Sequence, residues 1–308
     1  ARGNAERLGG RPEAALAFYA QALAARPAFP DAVVNQGNLL LDLDRPAEAL
    51  ASFEACLAHQ PGDPEALLSA GNALGDLGRP DAALARYEEA IARRPRFAHA
   101  HFNRGRVLQL LARKEEALRA YEQALALDPD RIDALINRAT LLHQSLRHGE
   151  ALESLARARA LQPDHTTALV NTGLILLDLG RAQEALEIFD RILAHHPDHR
   201  EALVSRGASL LDLQRPDDAL AHYGRIEPRL QSAEALLNRG VALHQLGRHP
   251  EALASYDAAL RIRPEFAVAH SNRIFLLDYL PDLDFAQHQA ERAAYCRIQT
   301  RALPPPGQ

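Results

Sequence analysis

The sequence predicts an all-α protein, a right-handed superhelical α-solenoid assembled from helix-turn-helix repeats. Three observations carry this expectation. A small residue returns every 34 positions, at Gly37, Gly71, Gly105, Ala139, Gly173 and Gly207, and then one residue early at Gly240. Each period holds two helical patterns. A proline then closes most periods, at Pro27, Pro61, Pro95, Pro129, Pro163, Pro197 and Pro264, where it stops the second helix.

Composition agrees with stacking rather than with a deep core. The 308 residues would suit two globular domains by length alone, but a solenoid grows by adding repeats and needs no single centre. Apolar residues make up 47% and aromatics only 5%, which favours thin helices that approach closely. A net charge of −5 with a pI near 6.3 lacks the basic footprint of a nucleic-acid binder. No apolar run approaches the roughly 18 residues that would span a membrane. Cys56 and Cys296 lie far apart, so a disulfide framework is not expected and a reducing, cytoplasmic setting is. Met is absent and Ala stands first, which points to a start other than the native one.

Taken in order, residues 1–29 form an incomplete repeat, with Gly3 in phase with Gly37. Full units start near Pro30, Pro64, Ala98, Ile132, Thr166, Arg200, Ala233 and Ala267, the last a cap or junction. The array covers 1–300, and RALPPPGQ at 301–308 reads as an extended or disordered tail. Each unit contains helix A, a short turn, helix B and a loop. Prolines such as Pro46, Pro80 and Pro216 suit the first turn of helix B, where no N–H is needed. The turn arginines Arg11, Arg45, Arg79, Arg113, Arg147, Arg181, Arg215 and Arg248 are expected to meet the carbonyls that end helix A.

Helix B also carries a small residue, at Ala15, Ala49, Ala83, Ala117, Ala151, Ala185, Ala219 and Ala252. One helical turn later comes a bulky one: Tyr19, Phe53, Tyr87, Tyr121, Leu155, Phe189, Tyr223 and Tyr256. That spacing puts both on one packed seam. Cys56 stands where other repeats have Ala22, Ala90 and Ala124, so it reads as a packing residue and not a nucleophile. Two places break the pattern. The unit from Arg200 is one residue short and carries Pro228, so its helix B is expected to stop near Ile226 and the stack to kink. The unit from Ala267 has Ile274 at the Gly position and no closing Pro, as an end repeat can.

The best functional signal lies two residues before the Gly position: Asn35, Ser69, Asn103, Asn137, Asn171, Ser205, Asn238 and Asn272. Asn is a poor helix former, so propensity does not explain six of eight at mid-helix. A side-chain amide offers donors and an acceptor together, and a row of them could hold the backbone of an extended peptide. Alternatively each Asn bonds its neighbouring helix and fixes repeat orientation; the two roles are compatible. Four residues earlier on the same face stand Asp31, Glu65, His99, Asp133, Thr167, Glu201, Glu234 and Val268. Acids there suit the macrodipole, but Asp42, Asp76, Asp178 and Asp212 come too late in helix A for that reason. The candidate peptide-binding set is the eight ladder positions with Asp31, Glu65 and Asp133. Its expected partner is a protein or extended peptide, basic or hydroxyl-rich. Arg104, Arg138, Arg206, Arg239 and Arg273, which follow the ladder, read as solvated or interhelical.

His195, His196 and His199 crowd one helix end beside Asp198, but adjacent His residues diverge by about 100° on a helix and no Cys joins them. No phosphate loop, nucleophile elbow or Cys/His pairing emerges. No catalytic residue, cofactor or metal is therefore assigned, and the segment is not expected to be an enzyme. The oligomeric state is left open.

The repeat resembles the tetratricopeptide family from Gly3 to about residue 300. Within that family the in-phase Asn, with Asp31, Glu65 and Asp133 four residues before it, resembles the asparagine ladder of O-linked N-acetylglucosamine transferases. In those enzymes a superhelix threads the substrate polypeptide toward a glycosyltransferase domain. Ala269-His270-Ser271-Asn272 and Leu277-Asp278-Tyr279-Leu280-Pro281-Asp282 look like the repeat-to-catalytic junction of bacterial, SPINDLY-type members, which continue with a segment similar to Phe285-Ala286-Gln287-His288. The resemblance implies a substrate-recruiting region whose parent carries protein O-glycosyltransferase activity. A stand-alone adaptor that assembles protein complexes is the alternative. Family members that clamp chaperone C-termini use Lys or Arg beside the Asn positions; here the residues four before are acidic or neutral, which argues against that role.

Overall fold

The computed structural model describes residues 12–25, 30–230 and 232–277, with 289, 292, 293, 295 and 296 singly. Gly3, Arg11, the Leu280-Pro281 junction and the tail at 301–308 lie outside the described residues. Sixteen α-helices and no strand occur among the described residues. They are α1 (Pro12–Ala25), α2 (Pro30–Asp42), α3 (Pro46–His59), α4 (Pro64–Asp76), α5 (Pro80–Arg93), α6 (Ala98–Leu110), α7 (Lys114–Leu127), α8 (Ile132–Gln144) and α9 (His148–Leu161). There follow α10 (Thr166–Asp178), α11 (Ala182–His195), α12 (Arg200–Asp212), α13 (Pro216–Leu230), α14 (Ala233–Gln245), α15 (His249–Ile262) and α16 (Ala267–Leu277). From α2 onward even labels are A helices and odd labels B helices. No described helix is long and apolar enough to cross a membrane.

Two compact units divide the chain, Ala1–Pro163 and Asp164–Gln308. In the first, α2 touches α4 and α4 touches α6; in the second, α10 touches α12, α12 touches α14 and α14 touches α16. Among the described residues no two successive B helices come into comparable contact. The A helices therefore line the inner side of the bend within each unit.

Each helical hairpin is held by packing at its centre and by a cap at its turn. A Cβ on Gly71, Gly105 or Gly173 would come within 2.5, 2.7 or 2.5 Å of the ring of Tyr87, Tyr121 or Phe189. Gly37, Gly207 and Gly240 face Phe53, Tyr223 and Tyr256 in the same way. The one A helix with Ala at this place, Ala139, belongs to the hairpin whose bulky residue is Leu155. The loss of the ring thus accompanies the extra methyl, and both residues are fully buried. Cys56 is 1% exposed, as its place among alanines implies.

The turn departs from expectation. The residue before each of the seven described turn arginines is left-handed: Asp44, Ala112, Leu146 and Gln214 have φ between 56° and 59°, and Gly78, Gly180 and Gly247 share the conformation. The arginine's backbone N–H then donates to a helix A carbonyl five residues back, as from Arg45 to Leu40 at 2.8 Å and from Arg147 to Leu142 at 2.9 Å. This is a Schellman closure. The arginine side chains do not reach those carbonyls. Six of the seven described ones turn forward to the carboxylate three residues on, in helix B: Arg45–Glu48, Arg113–Glu116, Arg147–Glu150, Arg181–Glu184, Arg215–Asp218 and Arg248–Glu251, all at 2.7 Å; Arg79 has Ala82 at that place. With the carbonyls already served by the backbone, a bidentate carboxylate is the better partner for the planar guanidinium.

The expected stop of helix B near Ile226 is also corrected, because α13 continues to Leu230. Proline inside a helix costs about 3 kcal/mol, and two gains oppose it here. Leu230 is buried in the core with Tyr223 and Leu211, and its carbonyl accepts a 2.8 Å hydrogen bond from Arg200 Nη2.

Candidate functional site

The ladder positions sit on the A helices, two residues before the place that packs on helix B, which is a glycine against a ring in six of the eight. The asparagines among them are therefore half-buried, while Ser69 and Ser205 are each 7% exposed. Asn35, Ser69, Asn103 and Asn137 belong to the first unit, and Asn171, Ser205, Asn238 and Asn272 to the second.

Several ladder amides are tied to the repeat before them. Asn238 Nδ2 donates to Tyr223 Oη at 3.0 Å, and Tyr223 Oη donates in turn to the Val204 carbonyl at 2.8 Å. Asn137 bonds Tyr121, whose hydroxyl donates to Gln109 Oε1 at 2.9 Å. Asn103 Nδ2 and Tyr87 Oη both donate to Asn72 Oδ1, at 2.7 and 2.8 Å. Burial holds Tyr121 up at about 12, despite the opposing bond from Asn137, and also raises Tyr87 and Tyr223. The three hydroxyls therefore keep their protons and donate.

Sequence reasoning missed this coupling, although a signal for it was present. Fifteen or sixteen residues before each ladder position stands the bulky residue of the preceding helix B. Tyr19, Tyr87, Tyr121, Tyr223 and Tyr256 precede Asn35, Asn103, Asn137, Asn238 and Asn272. Phe53 and Phe189 precede Ser69 and Ser205, and Leu155 precedes Asn171. A ring with a hydroxyl goes with an amide and a ring without one goes with serine, in keeping with the rule that buried polar groups find partners; Asn171, after a leucine, stands outside this pairing.

The arginines beside the ladder are interhelical. Arg104, Arg138, Arg206 and Arg273 reach Glu88, Glu122, Asp190 and Asp257, each sixteen residues back, at 3.5, 3.7, 2.6 and 2.6 Å. Arg138 and Arg239 also donate forward to Ser154 and Ser255 in their own helix B.

The acidic positions are of three kinds. Glu65 pairs with Arg94 at 2.6 Å, and Glu234 pairs with Arg263, so neither is a bare charge. Asp133 is exposed, and the side chain of Asp31 lies outside the described residues. Asp42, Asp76, Asp178 and Asp212 are exposed and each is the last residue of its A helix, where the macrodipole opposes a negative charge. Although Asp212 is exposed as a residue, partial desolvation raises its carboxyl above the usual range.

His199 Nδ1 accepts from the Ala202 N–H at 3.2 Å and so caps α12, just as His165 caps α10. A helix cap, repeated one unit earlier, accounts for it. Burial, with Asp63 nearby, raises the Cys56 thiol, which keeps it protonated and a poor nucleophile.

The tetratricopeptide repeat family model matches residues 1–64, 34–74, 68–132, 111–166, 136–199, 172–230 and 207–265. No curated protein matches the chain. Among solved structures, a tetratricopeptide repeat protein from Parabacteroides merdae is 17% identical with a TM-score of 0.59, covering 80% of this chain and 98% of its own. A chain of the APC/C hetero-tetramer Cut9–Hcn1 is 15% identical at TM-score 0.62, covering 86% of this chain and 52% of its own. Pseudomonas aeruginosa pilF is 21% identical at TM-score 0.57, covering 68% and 96%. At these identities the likeness concerns the fold.

Proposed function

The chain belongs to the tetratricopeptide repeat family, and from that premise we propose that its ladder amides hold an extended polypeptide along the inner side of each unit. The observation that carries the reading is the recurrence of an asparagine on successive inner helices, half-buried and anchored on one side. Anchoring leaves part of each amide for a partner and fixes where it points. The exposed aspartates at the ends of α2, α4, α10 and α12 favour a basic or hydroxyl-rich partner, since like charges are repelled. An array of Lys-rich, Ser-rich and Glu-rich peptides tests this. Binding that favours the Lys-rich or Ser-rich members and weakens with salt is expected; a preference for the Glu-rich members would contradict it.

The finer reading rests on the resemblance of the asparagine ladder and of the segment from Ala269 to O-linked N-acetylglucosamine transferases. On that reading the array recruits substrate for a protein O-glycosyltransferase domain of a bacterial, cytoplasmic parent. The sequence of the parent gene beyond Gln308 separates the possibilities. A further few hundred residues with an α/β pattern would support recruitment, and a stop codon would leave a stand-alone adaptor.

A further inference from the structure

We infer that Tyr121 and Tyr223, with Tyr87 acting through Asn72, are positioning residues of this interface. They lock the ladder amides so that each turns an N–H back to the preceding repeat and presents its carbonyl oxygen to the partner. The inference rests on the peptide-binding reading above and specifies what the amides read.

The argument follows the protons. A phenol has one hydrogen to give. Tyr223 gives its hydrogen to Val204 O, a backbone carbonyl that can only accept. Toward Asn238 the Tyr223 oxygen is thus left as an acceptor, and the amide must face it with Nδ2, as it does at 3.0 Å. A flipped amide would set its own oxygen against that of Tyr223 and lose the bond. In the first unit the proton of Tyr121 is given to Gln109, so its oxygen accepts from Asn137. Tyr87 and Asn103 converge as donors on the same Asn72 oxygen. In all three places the amide spends a donor inside the protein and keeps its carbonyl lone pairs. The matching group on a partner is an N–H, from an extended backbone or a Lys or Arg side chain. Ser69 and Ser205, which follow phenylalanines and are 7% exposed, have neither the reach nor the locked orientation, so reading is concentrated at the repeats that follow tyrosine.

The test uses the full chain and the tightest-binding member of the peptide array as probe. Tyr121→Phe and Tyr223→Phe keep the ring against Gly105 and Gly207 and remove only the hydroxyl. Each is expected to leave the helical content intact and to weaken binding by about fivefold, the worth of one ordinary hydrogen bond. A purely structural hydroxyl would not alter what is read, so the second readout is an N-methyl scan of the probe. In the wild type, methylating the matched backbone N–H groups should abolish binding; in Tyr223→Phe, where the amide is free to rotate, that discrimination should shrink. Tyr→Phe variants that bind and discriminate as the wild type does, while Asn137→Ala and Asn238→Ala lose affinity, would overturn the inference and leave the peptide interface standing. If Asn→Ala changes also leave binding untouched, the interface reading itself fails and the inference with it.

Discussion

The ring of Tyr121 occupies the space that a side chain at Gly105 would need: a Cβ there would lie 2.7 Å from Tyr121 Cε1. Helices A and B of one hairpin approach this closely only because one of them has no side chain at the crossing. The same chain shows the alternative solution at Ala139, whose hairpin carries Leu155 in place of the ring.

Gly105→Ala should therefore destabilise the protein by about 1–3 kcal/mol, the usual range for overpacking a core, even though Ala is the better helix former. Urea denaturation followed by circular dichroism measures it. Adding Tyr121→Leu to Gly105→Ala should recover part of the loss by copying the Ala139 and Leu155 arrangement, so the two changes should not be additive.

A stabilising change is expected at Leu146. It is 79% exposed and has φ of 59°, a region that disfavours any Cβ. Leu146→Gly should raise stability by about 1 kcal/mol, because the strain relieved exceeds the little burial lost and the left-handed cap suits glycine. Thermal melting of the two proteins side by side gives the answer.

How much of this was legible in the sequence depends on the distance over which a residue's partner is found. The period, the Gly and aromatic seam and the place of Cys56 recur in phase within a repeat, and they can be read column by column. The forward turn of Arg147 onto Glu150 is hidden in the sequence because its cause is a backbone one: the Arg147 N–H already serves the helix A carbonyl of Leu142, which leaves the side chain for Glu150. The end of α13 lies beyond the place the sequence suggests because Pro228 is a local signal, whereas the burial of Leu230 is a tertiary one. The pairing of Tyr with Asn and of Phe with Ser was visible only by comparing two columns from adjacent repeats.

Acid should loosen the structure through its carboxylates. At Glu234 burial acts to raise the pKa, but hydrogen bonds from Ser232 and Arg263 outweigh it and bring the group down to about 2. Glu48, Glu116, Glu150, Glu184 and Glu251 are lowered by their arginines. A depressed carboxylate contributes stability that is complete above its unfolded value, near 4.5 for Glu, and is lost as pH falls toward the folded one. The melting temperature should thus hold near neutrality and drop between about pH 5 and pH 2. Glu234→Gln should flatten that drop.

The central claim is that the ladder amides grip the partner, while the aspartates around them bias which partner is taken. Its most direct test is the affinity of the array-selected peptide for the full chain carrying Asn103→Ala, Asn137→Ala and Asn238→Ala together, with helical content measured on the same samples. Each lost hydrogen bond is worth about a factor of five, so the account predicts a fall in affinity of roughly a hundredfold with the helices intact. Unchanged affinity in a folded triple variant would contradict it.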